Sequence, residues 1–130
     1  MNILILDDDQ CRHDMYRTKI NPVHTLYHAH NAIEAGAILG NPETPIDFML
    51  LDHDLGDGVD GYEFVRSIGF MTHYLRRPAA IVHSMNSVGG PAMVSHLALL
   101  NIFGAYLPGL FGRGDHIINA IIDDMKERVS

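Results

Sequence analysis

Apolar residues in this chain fall into short unbroken blocks, separated by longer stretches in which they return with helical spacing. Ile3-Leu4-Ile5-Leu6, Phe48-Met49-Leu50-Leu51 and Ala79-Ala80-Ile81-Val82 are such blocks. They have strand length, and a strand without polar alternation is one covered on both faces. They predict strands over Asn2–Leu6, Phe48–Asp52 and Ala79–Ser84. Two weaker strands are predicted: about His24 to His28, where Val23, Thr25 and Tyr27 supply strand propensity, and Ala105 to Leu107.

Between the strands lie capped helical stretches. Asp9 is placed to cap a helix from Gln10 to about Ile20, ended by Asn21-Pro22. Asn31 caps a second, Ala32 to Leu39, stopped by Gly40-Asn41-Pro42. A third runs from about Gly61 to Thr72, with Tyr62, Phe64, Val65 and Ile68 turned inward. Pro91 suits the first position of a fourth, which ends near Leu100. Asp115 opens the last, Ile117 to about Arg128, with Ile117, Ile118, Ile121 and Ile122 as its apolar stripe. Strands alternating with helices predict an α/β fold: a doubly wound, five-stranded parallel sheet with helices on both faces. Right-handed crossovers favour the flavodoxin-like order 2-1-3-4-5. Residues 1–130 are expected to form a single domain.

In that order the first, third and fourth strands are neighbours, and each is followed by a polar run. The runs are Asp7-Asp8-Asp9, Asp52-His53-Asp54-Leu55-Gly56 and His83-Ser84-Met85-Asn86. Ligands of open α/β sheets bind at the carboxyl ends of the strands, so these runs mark a site. Like charges about 4 Å apart cost roughly 4 kcal/mol at an effective dielectric of about 20. Asp7, Asp8, Asp52 and Asp54 therefore call for a cation, a shared proton, or the guanidinium of Arg12. Oxygen ligands suit Mg²⁺ or Mn²⁺, whereas added imidazoles would bring in Zn²⁺. His53 and His83, on adjacent strands, could flank a phosphorus atom and move its protons. Ser84, Asn86 and the backbone N–H groups of Ser87 to Gly90 could hold phosphoryl oxygens.

Plainer readings stand beside these. Asp54 could simply begin the glycine turn, and His53 could face into the fold, because residues alternate along a strand. Arg12 and His13 could lie on a solvated helix face. His24, His28, His30, His73, His96 and His116 are expected on the surface or in packing. Met49, Met71, Met85 and Met93 are expected as core filler. Asp57, Asp60 and Glu63 are expected to be solvated.

With 16 acidic and 9 basic residues, the net charge is −7, which argues against a broad nucleic-acid surface. No apolar run is long enough to cross a bilayer, and Met1 leads straight into a strand. The lone Cys11 forms no internal disulfide, so a cytoplasmic location is expected, with no membrane partner.

The opening Ile3-Leu4-Ile5-Leu6-Asp7-Asp8, the strand ending at Asp52, Gly61-Tyr62-Glu63-Phe64 and Ser84 resemble a receiver domain, the phospho-accepting module of two-component signalling. Receivers carry a lysine before a proline at the end of the fifth strand, where this chain has Leu107-Pro108. The Asp-Asp pair, the Asp-His-Asp-Leu-Gly run and the His-Ser-x-Asn run together resemble an offshoot, the cyclic-phosphate-processing receiver domain. Arg12-His13 resembles one subgroup of it. The resemblance implies a hydrolase acting on a cyclic phosphate in a nucleotide, an ADP-ribose derivative or an RNA end. It implies His53, His83 and Asp52 as catalytic residues, Ser84, Asn86 and Arg12 as phosphate-binding, and Asp7, Asp8, Asp52 and Asp54 as metal ligands. Two alternatives remain: a degenerate receiver that accepts phosphate on Asp52 or only binds proteins, and a protein that sequesters a cyclic nucleotide. Phe103, Tyr106, Leu110 and Phe111 are expected to form an apolar patch for a homodimer through the fourth helix, fifth strand and last helix.

Overall fold

The computed structural model describes residues 1–56, 58–68 and 77–129. The expectations for Asp57, Met71, His73 and the third helix beyond Ile68 lie outside these residues. The order is β1 (Asn2–Leu6), α1 (Gln10–Lys19), β2 (Thr25–Ala29), α2 (Ala32–Leu39), β3 (Phe48–Leu51), α3 (Gly61–Ile68), β4 (Ala79–Val82), α4 (Gly89–Leu99), β5 (Gly104–Tyr106) and α5 (Asp115–Met125). All pairings are parallel, in the order β2-β1-β3-β4-β5, as the sequence predicts.

Strand alternation divides the core in two. Ile3, Ile5, Phe48, Leu50, Ala79 and Ile81 pack with Tyr16 of α1, Ile20 just past its end, and Ile118 and Ile122 of α5. Leu4, Leu6, Met49, Leu51, Ala80 and Val82 pack with Leu39 of α2, Phe64 and Val65 of α3, and Met93 and Leu97 of α4. Every one of these strand residues is fully buried, which is why the blocks carry no polar alternation. The register sets Leu6 beside Leu51 and Leu51 beside Val82. The next residues along, Asp7, Asp52 and His83, therefore leave the sheet at one level.

Helix ends mostly follow the caps. The Asp9 side chain accepts the Cys11 N–H at 2.8 Å, and Asn31 accepts that of Glu34 at 2.9 Å. Helix α4 starts at Gly89, earlier than Pro91 predicts. The proline lies within the first turn, where an intrahelical N–H is not needed.

Some expectations are corrected. Met85 is 66% exposed, because it follows the strand end and turns outward. His13 is fully buried instead of solvated. Leu110 is buried beneath α1 and α5, and the Arg128 guanidinium lies 4.6 Å from the Phe103 ring centre. Leu110 therefore drops out of the expected apolar patch, while Phe103 stays exposed.

Candidate functional site

The site begins with the parity of the strands. Asp7, Asp52 and His83 continue the rows Ile3-Ile5, Phe48-Leu50 and Ala79-Ile81, which face α1 and α5. His53 and Ser84 continue the opposite rows, whereas Asp8, past the end of β1, brings an oxygen close to those of Asp7 and Asp52. The sequence places both histidines at neighbouring strand ends, but alternation sends their rings to opposite sides.

On the α1 side, Asp7 is fully buried and Asp52 nearly so. Oxygens of Asp7, Asp8 and Asp52 lie within 4.8 Å of one another. Asp7 Oδ1 accepts the Asp9 N–H at 2.8 Å, and Asp52 Oδ1 accepts the His53 N–H at 2.9 Å. Burial pushes the Asp7 carboxyl up to about 7, and the nearby Asp52 charge adds to this. Burial also raises Asp52, against the pull of the Ser84 hydroxyl and Arg12.

Arg12 reaches into this cluster from the first turn of α1. Its Nη1 is 3.4 Å from Asp7 Oδ2 and 3.4 Å from Asp52 Oδ2, and its Nε is 3.8 Å from Asp9 Oδ2. The guanidinium carbon sits 4.4 Å from the Phe111 ring centre. The residue is thus part of the crevice and not of a solvated helix face.

His83 lies beneath Asp7 and has no solvent exposure. Its Nδ1 is 3.0 Å from the Tyr16 hydroxyl. Burial raises the Tyr16 hydroxyl's pKa, so this group stays protonated in its hydrogen bond with Nδ1. His83 Nε2 is 3.7 Å from Asp7 Oδ2, and the Leu6 backbone also acts on the ring. Burial holds the imidazole pKa down at about 3, so the ring is neutral.

On the other side, the His53 side chain is 16% exposed. Its Nδ1 is 3.0 Å from Asp54 Oδ1 and 3.2 Å from Asn86 Nδ2. Its Nε2 is 3.7 Å from Asp60 Oδ2. The ring lies against Gly89 at the start of α4, where a Cβ would overlap it. Gly61 also lacks a Cβ where one would strike the Asp52 carbonyl, and its N–H bonds the His53 carbonyl at 2.8 Å. These two glycines let the chain fold closely around His53.

Several sequence-level expectations change here. His53 and His83 do not flank one open space, because strand alternation separates them. Asp54 lies outside the carboxylate trio. It is exposed, and it accepts from Asn86 Nδ2 at 3.3 Å. The hydrogen bond with His53 holds its carboxyl below the usual range. Three of the amides expected to cradle phosphate at α4, those of Val88, Gly89 and Gly90, are already occupied. Asn86 Oδ1 accepts the Val88 and Gly89 N–H groups at 3.1 and 2.7 Å, and its carbonyl accepts that of Gly90. Ser84 is nearly buried, and its hydroxyl accepts the Asn86 N–H at 3.1 Å. Sequence reasoning did not single out Tyr16 or Gly89. Tyr16 stands four residues after Arg12, on the same helix face, and that spacing was the available signal.

The β2-β1-β3-β4-β5 sheet and the aspartate pocket at its strand ends define a receiver-type fold. Receiver domains bind a divalent metal at such a pocket, and Asp7, Asp8 and Asp52 form the corresponding cluster here. Solved structures show the same architecture. The chain is 17% identical to the CheY-like response regulator receiver domain of Methanospirillum hungatei JF-1, covering 98% of this chain and 94% of that one, with a TM-score of 0.70. It is 21% identical to the phosphorylated cyanobacterial phytochrome response regulator RcpA, covering 95% and 92%, with a TM-score of 0.72. It is 17% identical to an adenylate cyclase from Rhodopirellula baltica, covering 98% and 87%, with a TM-score of 0.73. No curated protein sequence matches the chain. Within the receiver fold, residues 2–98 match the cyclic-phosphate processing receiver domain, and the chain belongs to that family. Among the described residues, no helix is long and apolar enough to cross a membrane.

Proposed function

We propose that this domain is a metal-assisted hydrolase that opens a cyclic phosphate in a nucleotide, an ADP-ribose derivative or an RNA end. The observation that carries the reading is the Asp7–Asp8–Asp52 trio, two of its carboxylates buried and Asp8 exposed, with Arg12 beside it, in a chain of this family. The trio fits a divalent cation, because its donors are all oxygens and the buried Asp7 and Asp52 carboxylates need a counter-charge to be ionised together. No imidazole belongs to the trio, which favours Mg²⁺ or Mn²⁺ over Zn²⁺. A bound ion would neutralise the carboxylates and polarise a phosphoryl oxygen.

The chain's own residues divide the remaining work. The reaction adds water across one P–O ester bond: water oxygen joins phosphorus, and the departing ring oxygen takes up a proton. His53, partly exposed and held by Asp54 and Asn86, is the imidazole able to exchange that proton with substrate or water. Arg12 and the Asn86 side-chain amide supply donors for non-bridging oxygens. Ser84 sets the Asn86 backbone. His83 has no exposure, so it acts as a positioning residue beneath Asp7 and does not touch substrate.

The signalling alternative needs Asp52 to carry a phosphoryl group, and the family's usual lysine is Leu107 here. The test is phosphorus NMR of the protein with Mg²⁺, Mn²⁺ or Zn²⁺ against 2′,3′-cyclic, 3′,5′-cyclic and ADP-ribose cyclic phosphates. Opening of one substrate, lost in His53→Ala and Asp52→Asn variants that retain the fold, supports the hydrolase. Broadening without turnover would replace it with a sequestering protein. Inert substrates together with acetyl phosphate labelling of Asp52 would replace it with a phospho-accepting module.

A further inference from the structure

We infer that Arg12 is a displaceable internal counter-ion, which holds the aspartate pocket when no metal is bound and yields it to a divalent ion. The inference rests on the metal reading of the trio and adds how that pocket is kept in the meantime. Three observations carry it. First, Nη1 lies 3.4 Å from both Asp7 Oδ2 and Asp52 Oδ2, bridging two of the three carboxylates that would ligate an ion. Second, every one of these contacts is loose. Charge-assisted N–H···O bonds close to roughly 2.7–2.9 Å, whereas Arg12 approaches the trio no nearer than 3.4 Å. Third, the guanidinium has a contact outside the trio: its carbon lies 4.4 Å from the centre of the Phe111 ring. That contact would hold it at the rim after it leaves the carboxylates.

The chemistry makes the two cations exclusive. One guanidinium brings a single charge to a trio that could carry three negative ones. A divalent ion brings two, and binds carboxylate oxygens at about 2.0–2.6 Å. Both cannot hold Asp7 Oδ2 and Asp52 Oδ2 at these distances without facing each other as like charges. Retraction toward Phe111 would leave the Arg12 donors above the pocket, where a phosphate would arrive. In this chain, with leucine at position 107, the positive charge that receivers draw from β5 would come from α1 instead.

The experiment is calorimetric titration of Mn²⁺ into wild-type protein, Arg12→Gln and Arg17→Gln. Arg17 lies on the same helix, is 55% exposed and pairs with Asp14, so its removal reports only the long-range field. Arg12→Gln is expected to bind Mn²⁺ about tenfold more tightly, with little change for Arg17→Gln. In the metal-free state Arg12→Gln is expected to melt lower than wild type, with the gap closing in saturating Mn²⁺. The Arg12 Nε–Hε resonance is expected to shift on Mg²⁺ addition. Equal or weaker Mn²⁺ affinity in Arg12→Gln, or an equal gain in Arg17→Gln, would overturn the inference and leave the metal site standing. Absence of Mn²⁺ binding in all three proteins would overturn the metal reading and this inference together.

Discussion

His83 Nε2 lies 3.7 Å from Asp7 Oδ2, with neither side chain exposed to solvent. The imidazole is held neutral by burial, so it offers no full charge to the carboxyl above it. Burial in turn raises Asp7 from 3.8 to about 7. Between those values the folded, metal-free chain keeps a proton that the unfolded chain has released. The Asp7 contribution to stability is therefore fully present below pH 3.8 and is lost as pH rises through about 7. Asp7→Asn has a similar shape and does not titrate. The unfolding free energy of wild type minus that of Asp7→Asn, measured in chelator, is expected to fall as pH rises across that window. A difference independent of pH would contradict the buried-carboxyl account.

The same arrangement makes Tyr16 a support for the site. Its hydroxyl shares a hydrogen bond with His83 Nδ1 at 3.0 Å. Tyr16→Phe removes the hydroxyl from that buried nitrogen. Such a loss costs about 1–3 kcal/mol. Urea denaturation is expected to show a lower midpoint with an unchanged slope. A wild-type midpoint would mean that the hydroxyl contributes nothing to holding the ring.

The sheet order and most strands were legible because burial on both faces leaves an unbroken apolar block, and few topologies suit alternating strands and helices. Asp7 and Asp52 were legible as neighbours for the same reason. The division between His53 and His83 was harder to read. It depends on how the chain runs past the last paired residue: the backbone hydrogen bonds Asp52 N–Leu6 O and His83 N–Leu51 O carry the ladder to Asp52 and His83, and the His53 carbonyl then turns to the Gly61 N–H. The burial of His13 was also hidden. Its Nε2 is 2.8 Å from the Asp7 carbonyl and its Nδ1 is 2.6 Å from His28, partners set by tertiary packing. Leu110 follows a left-handed glycine, Gly109, in a short helical turn that folds it under α5, and no periodicity announces this.

Gly89 bears on His53 through what it lacks. A Cβ at position 89 would overlap the imidazole, and the backbone there is fixed by the Asn86 side chain. Gly89→Ala must therefore push the ring out or move the start of α4, at a cost of about 1–3 kcal/mol for such overpacking. His53→Ala removes the obstacle. The double variant is expected to recover most of the stability lost in Gly89→Ala, giving a coupling well outside additivity. Thermal or urea unfolding of the four proteins measures it, and additive effects would show that the ring is free to move aside.

On the far side of Asp7, His13 and His28 face each other with Nδ1 atoms 2.6 Å apart. Only one of these nitrogens can carry the proton between them, so charging both rings would break the bond and set like charges together. Burial, followed by the His13 charge, lowers His28 from 6.5 to about 4, and burial also lowers His13. The sign is opposite to that of Asp7. Between those values the unfolded chain binds a proton that the folded chain refuses, so stability falls as pH drops from 6.5 towards 4. His28→Gln removes the second imidazole while keeping a polar group. The stability advantage of wild type over His28→Gln is expected to shrink steadily through that range and to be constant above it. An advantage that grows on acidification would mean that the pair is held together by charge and not by a shared proton.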